Sequence, residues 1–371
     1  MRLSNLNIKK INLKDVDNNY AGQDILLKLG ELYQFESGIY GYGNLWTKLE
    51  RIVEDILIDE LDKAGCIQVD FPKLQPKKIW EQSNRWDTYT KDGDIMFTIN
   101  NNLGEYGLAP TAEECATIFG ANRLESYKNL PATYYQNRLG IKIIPTVSDS
   151  GVIGGNVAEE FQAITALGED IILFDEEKNI GINKEVLEFD NKDMYLEQLG
   201  IKEISRLKEY NTIELGNNFQ LGIRYSESMK LYFKDENNID KPYYMGWYGI
   251  GLGRIIACLI ENNIIKKDNI IKGFSLPYHI APYKVQIIYT EDNYEFANNL
   301  YNELLNNNIN AILDDRNNLS LGNRINDVYV LGTPKMIVLG NKFDGNSFEI
   351  EDTKTGEKVI SNVDNVINEL K

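Results

Sequence analysis

Residues 45–72 read LWTKLERIVEDILIDELDKAGCIQVDFP. Leu45, Leu49, Ile52, Val53, Ile56, Leu57 and Leu61 recur at steps of three and four, the pattern of a helix with one apolar stripe. Gly65 follows as a stop signal, because glycine enters the left-handed conformation that ends a helix. Cys66 to Phe71 then predicts a strand, ended by Pro72, which has no N–H to give a sheet. A long amphipathic helix over 45–64 feeding a strand over 66–72 is an α/β-type unit.

Reading outward from that unit, residues 110–126 predict a second helix. Thr111 is placed to cap it, and Glu113 and Glu114 suit its positive N-terminal end. Residues 141–147 and 171–174 predict strands. Residues 211–226 alternate strand and turn signals, and 243–250 form an aromatic strand. Gly251-Leu252-Gly253 then turns into a helix over 254–261. Two prolines bracket residues 277–282, the best candidate linker. Beyond Lys284 the order is strand (285–289), helix (294–306), strand (311–314), helix, strand (335–339). That alternation predicts a small α/β domain with some parallel pairing.

The length of 371 residues suggests two domains, with enough chain to bury a core without a disulfide or metal. A 43% hydrophobic and 26% charged composition is that of a globular protein. The single histidine, His279, argues against His-ligated zinc. Cys66, Cys115 and Cys258 are scattered in apolar stretches and read as small buried side chains in a reducing compartment. The N-terminal residues lack the apolar core of a secretory signal, and no apolar run reaches the roughly 18–20 residues of a membrane span. The expectation is a cytoplasmic protein with no membrane partner. The net charge of −17 opposes nonspecific nucleic-acid binding.

Several stretches occur in a telling order. They include Trp80-Glu81-Gln82-Ser83-Asn84-Arg85-Trp86, Gly107-Leu108-Ala109-Pro110-Thr111-Ala112-Glu113-Glu114 and Asp149-Ser150-Gly151-Val152-Ile153-Gly154-Gly155. Glu160-Phe161-Gln162, Gly168-Glu169-Asp170, Phe219-Gln220-Leu221-Gly222 and Met245-Gly246-Trp247-Tyr248-Gly249-Ile250-Gly251 follow. Gly332-Thr333-Pro334 closes the series. Together, from about residue 26 to 371, the chain resembles bacterial-type prolyl-tRNA synthetase, a class II aminoacyl-tRNA synthetase. The resemblance implies an α+β fold. A class II synthetase-type antiparallel sheet with flanking helices would occupy residues 1–278, and a small α/β domain like the family's anticodon-binding domain 279–371. It also implies activation of proline with ATP and magnesium, transfer to tRNA, and a homodimer built on the motif 1 segment at 45–72.

The resemblance further implies site residues. Thr111 and Glu113 match a Thr-x-Glu loop in the amino-acid pocket, where a carboxylate neutralises an ammonium and a hydroxyl orients it. A capped helix start explains the same residues structurally. Glu160, Phe161 and Trp247 match further walls of that pocket. Glu214, Gln220, Gly251 and Arg254 match the ATP site. Arg254 is the catalytic candidate, a guanidinium facing phosphate charge. Alternating strand exposure or tight glycine packing accounts for these positions equally well. The glycine spacing is not G-x-G-x-x-G, and no Gly-Lys-Ser/Thr follows, so dinucleotide and Walker A loops are set aside. Arg316, Arg324 and Lys335 are the tRNA-contact candidates, with Lys342 as a further member of a shared basic face. Residues 281–371 nevertheless carry 8 Lys and Arg against 14 Asp and Glu, a balance of −6 that disfavours phosphate binding.

The chain also departs from the family. Gln136 runs directly into Asn137-Arg138-Leu139-Gly140, with no motif 2 and none of the arginine that grips the α-phosphate. Arg138 is the nearest arginine to that joint. Glu159 and Asn217 stand where the family has histidines, and Trp247 where bacterial members have cysteine. The editing insertion is reduced to a short stretch over 176–210. Two other readings follow from these departures. One is a catalytically inactive synthetase-like regulator or binding protein. The other is an enzyme that loads an acceptor other than tRNA.

Overall fold

A computed structural model describes residues 1–92, 95–102, 104–135, 144–148, 158–166, 168–188 and 192–371. Arg138, the first part of the strand expected over 141–147 and the glycine-rich stretch at 149–155 lie outside the described residues. The chain divides into two units. One comprises Met1–Asp55, Thr165–Leu167 and Leu252–Lys371, and the other Ile56–Ile164 and Gly168–Gly251. The helix expected from the apolar stripe spans Asn44–Lys63, with Leu45, Leu49, Val53 and Leu57 buried along it.

In the first unit, strands Val285–Tyr289, Ala311–Asp314 and Lys335–Leu339 pair in parallel, with Val285–Tyr289 central. Strands Phe348–Asp352 and Lys358–Ser361 extend the sheet antiparallel. Every residue of Val285–Tyr289 is buried, as expected of a strand covered on both faces. Val285, Ile287 and Tyr289 pack in one core with Ala297, Leu300 and Leu304 of helix Tyr294–Asn306. Ile288 and Met336 form another with Val328 of helix Leu321–Val330. The free edge of Ala311–Asp314 is covered by the chain's own start. Arg2 bridges to Leu313 in parallel, and the Ser4 amide and hydroxyl donate to Asp315 at 2.9 and 2.7 Å. Also in this unit, helix Ala21–Leu29 lies against helix Leu252–Glu261, where the Gly22 amide donates to Glu261 at 2.7 Å.

The second unit is built on a mainly antiparallel sheet. Its order is Asp170–Asp175, Ile180–Asn183, Ile144–Ser148, Ala158–Ile164, Lys208–Gly222 and Met245–Ile250. Residues Lys208–Thr212 also pair with Asp170–Phe174, so five strands close on themselves and shed their edges. Three expectations change here. The helix expected over 110–126 is shorter, Glu113–Ala121; its N-cap is Ala112, and the Thr111 hydroxyl does not cap it. The strand expected over 66–72 pairs only at Ile67–Gln68, because its partner Tyr134–Tyr135 is equally short. Residues 211–226 are not a series of turns but the end of one 15-residue strand, Lys208–Gly222, and a short helix, Arg224–Ser228. Among the described residues, no helix is long and apolar enough to cross a membrane.

Candidate active site

The second unit carries a buried ionic cluster. Glu113 and Glu114 open their helix with 0% of their surface exposed, and Arg85 is 1% exposed. One Arg85 Nη1 donates to Glu113 Oε2 and Glu114 Oε1, each at 3.0 Å. Its Nη2 donates to the Tyr89 hydroxyl and, at 3.5 Å, to Thr111 Oγ1. The guanidinium lies over the rings of Trp80, Tyr89 and Tyr225, 4.5–5.2 Å from their centres. Ser83 Oγ donates to Glu114 at 2.6 Å. Gln75 fixes the loop in front, donating to the Thr111 carbonyl at 3.2 Å. Burial works against the Arg85 charge, but Glu113 and Glu114 outweigh it and hold the guanidinium above the ordinary arginine range. Burial likewise pushes the Glu114 carboxyl up, with Arg85 and Ser83 opposing. Two carboxylates thus share one cation, and Glu113 Oε1 and Glu114 Oε2 have no partner among the described residues.

The sheet beside this cluster has two distinct faces, fixed by register. Trp247 pairs with Phe219, which pairs with Ala158 on its other side. Asn217 lies between Gly249 and Glu160, and Glu214 opposite Gln162. Trp247, Phe219, Asn217, Glu160, Gln162 and Glu214 therefore share one face. The apolar end of that face packs as Ala158, Phe219, Leu221 and Tyr225 with Met245 and Trp247 against them. Tyr225 is the same residue that covers Arg85, so the apolar end and the ionic cluster meet at one ring. Phe161 and Gln220 follow Glu160 and Phe219 directly along their strands and so point to the opposite face. The expectation that Phe161 lines one pocket wall together with Glu160 is thereby corrected.

Two glycines of these paired strands are packed too closely for a side chain, Gly249 on this face and Gly216 on the opposite one. A side chain at Gly249 would sit 2.5 Å from Asn217 Oδ1, and one at Gly216 2.6 Å from the Gly249 carbonyl oxygen. The Gly251 amide is bound within the sheet, donating to the Leu215 carbonyl at 2.6 Å. Asn217 donates to Glu214 at 2.8 Å. Burial raises the Glu160 carboxyl above the usual carboxylate range, and the nearby charges of Glu214 and Asp170 add to that.

The remaining candidates lie in the first unit. Arg254 is exposed near the start of helix Leu252–Glu261, whose buried side holds Ile255, Ile256, Cys258 and Ile260. Arg324 is 2% exposed and donates to the carbonyls of Tyr289 and Asp314. It is an interior strut, which corrects its expected place on an RNA-facing surface. Arg316 pairs with Asp314 and Asp327, each at 2.8 Å, and Lys335 with Asp352 at 2.9 Å. These charges are neutralised within the domain, so the expected basic face does not form from them.

Sequence reasoning quoted Arg85, Gln162 and Asp170 inside longer motifs without singling them out. The available signal was two adjacent glutamates at the start of an apolar helix, which need a cation if buried. All three cysteines are free; Cys258 is buried, whereas Cys66 and Cys115 are half-buried.

Comparison with known proteins connects these features. The family described as "Anticodon binding domain" matches residues 280–371. A proline–tRNA ligase of Rickettsia bellii is 28% identical, covering 90% of each chain. That of Ehrlichia canis is 27% identical over 435 aligned positions, covering 100% of each chain. This chain has only 371 residues, so the alignment includes positions that it lacks. The solved prolyl-tRNA synthetase of Cryptosporidium parvum, complexed with L-proline and AMP, superposes with a TM-score of 0.67 at 14% identity. The superposition covers 94% of this chain and 74% of that one, and shows the shared class II fold. With the anticodon-binding match at its C-terminal end and relatives aligned from end to end, the chain is similar over its whole length to the prolyl-tRNA synthetases.

Proposed function

We propose that this protein activates proline with ATP and transfers the prolyl group to tRNA, acting as a cytoplasmic homodimer. In the first step the amino-acid carboxylate attacks the α-phosphorus and pyrophosphate leaves. In the second a ribose hydroxyl attacks the activated carbonyl and AMP leaves. The observation carrying this reading is Glu113 Oε1, a buried carboxylate oxygen without a partner among the described residues, held beside Thr111 by Arg85. An amino-acid ammonium supplies the cation that this cluster lacks. The names of the relatives and the proline and AMP bound by the solved neighbour favour proline and ATP.

In this reading Trp247 narrows the apolar end of the pocket against Phe219, Glu214 and Gly251 border the nucleotide, and Arg254 faces its phosphates. Gln220, on the opposite face of its strand, is a weaker nucleotide candidate. Magnesium accompanies ATP and needs only one or two protein carboxylates. No group of three or more metal-ligating side chains fits a metal ion among the described residues. Residues 1–278 form the activating part and 279–371 the tRNA-facing part. Exposed polar groups on the latter would have to replace Arg316, Arg324 and Lys335.

The test is ATP–pyrophosphate exchange. Proline-dependent exchange is expected, abolished by Arg254→Ala and with a raised KM for proline in Glu113→Gln. No exchange with proline at high enzyme concentration would overturn the reading and favour a synthetase-like binding protein.

A further inference from the structure

The face that carries Trp247 and Phe219 at one end becomes wholly polar at the other. Glu160 and Gln162 alternate along one strand, and Thr146 and Ser148 along its neighbour. Glu214 and Thr212 continue the face on the other side, and Asp170 lies directly opposite Thr212. The Gln162 nitrogen donates to Glu160 Oε2 at 2.8 Å and to Asp170 Oδ2 at 3.0 Å, so its carboxamide head sits between two carboxylates. Ser148 donates to the other Glu160 oxygen at 2.7 Å. Among the described residues, neither Glu160 nor Asp170 enters an ion pair. Gln162 and Thr212 are both 0% exposed, and Gln162 Oε1 and Thr212 Oγ1 have no partner among the described residues.

Two features set the chemistry of what binds here. First, the vacant positions are oxygen acceptors. Neutral donors such as Ser148 and Gln162 satisfy lone pairs, but they do not balance charge. Second, the two carboxylates meet on the Gln162 nitrogen, and no third carboxylate joins them among the described residues. Among the described residues, no group of three or more Asp, Glu, His or Cys is arranged to hold a metal ion. A metal needs its oxygens gathered at about 2.0–2.6 Å. An ammonium instead sends three N–H donors outward, each to a separate acceptor.

We propose that Glu160, Asp170, Gln162 and Thr212 form a binding site for a protonated primary amine. The carboxylates balance its charge, and the Gln162 and Thr212 oxygens accept its remaining protons. The amine is either the side chain of a substrate or a free small amine, and both present the same –NH3+ group.

The experiment is calorimetric titration of the full chain with putrescine, against sodium chloride of equal ionic strength. Saturable binding is expected. Glu160→Gln and Asp170→Asn should each weaken it at least tenfold. Thr212→Val, which keeps shape and removes one acceptor, should weaken it several-fold while leaving the melting temperature near that of the parent. Should a carboxylate variant fail to fold, Thr212→Val still decides. A second arm repeats the titration with L-ornithine on the parent and on Glu113→Gln. Tighter ornithine binding that is lost in Glu113→Gln identifies a substrate side chain. Putrescine binding indifferent to Glu113→Gln, without tighter ornithine binding, identifies a free amine. No saturable heat with putrescine, binding unchanged in all three variants, or equal and competing binding of magnesium chloride would overturn the proposal. The titration contains neither proline nor ATP, so its outcome is separate from that of the exchange assay.

Discussion

Arg85 supports three neighbours at once: two carboxylates, the Thr111 loop and the rings of Trp80, Tyr89 and Tyr225. Removing it would strand Glu113 and Glu114 without a cation in the interior. Arg85→Met is therefore expected to cost about 3–5 kcal/mol of folding stability, as for other broken buried pairs. Urea denaturation measures this, and a loss under about 1 kcal/mol would show that the pair is not buried in solution. Glu160 predicts a pH effect. Its folded-state pKa is raised by burial, so the native state holds a proton that the unfolded chain has already released. The stability it contributes is complete below the usual carboxylate pKa and is lost as pH rises through the raised value. Denaturation midpoints should fall over that window in the parent, with a shallower fall in Glu160→Gln. At this scale sequence reading named Glu113 and Glu160 as candidates from their motifs. It missed Arg85 because its partners lie 28 and 29 residues away, and local spacing carries no sign of them. It placed Arg324 on the surface because an arginine on an amphipathic helix normally faces water, whereas here Tyr289 and Asp314 receive it.

Among the elements, strand Lys208–Gly222 organises the site, since it pairs with three other strands along its length. Its two glycine contacts give a contrast. In Gly249→Ala the new methyl meets the end of the Asn217 side chain, which can turn away. In Gly216→Ala it meets a backbone carbonyl, which cannot. Gly216→Ala is expected to destabilise by about 1–3 kcal/mol, and Gly249→Ala by less. Adding Asn217→Ala should relieve the Gly249→Ala defect and leave that of Gly216→Ala. Thermal melts of the two double variants check this, and equal relief in both would contradict the geometry. The same strand shows why sequence patterning faltered. Register shifts between Glu214 and Gly216 and between Gln220 and Gly222 break the two-residue alternation, so one continuous strand imitates several short ones. Helix Asn44–Lys63 and the alternating elements after Lys284 were legible because their apolar periods run uninterrupted.

For the whole molecule, composition excluded more than it assigned. The −17 charge and the internally paired Arg316 and Lys335 leave the proposed tRNA recognition to be carried by shape and neutral polar groups more than by phosphate neutralisation. The proposed homodimer has a specific consequence at the hairpin of strands Leu32–Glu36 and Ile39–Tyr42. Tyr33, Phe35 and Ile39 there are 57%, 70% and 57% exposed. Large apolar side chains grouped in this way mark association surfaces. Sedimentation is expected to give a dimer for the parent and a monomer for Phe35→Asp, and an unshifted mass for both would remove this hairpin from the interface. The pairing of Arg2 with Leu313 and of Ser4 with Asp315 has a consequence in time. Residues 1–6 leave the ribosome some three hundred residues before the strand that receives them. Their contacts with it are thus among the last that the growing chain can make. Until that strand emerges it is residues 1–6 that stand unpaired in the newborn protein, and a chaperone or a neighbouring nascent chain has its opportunity there.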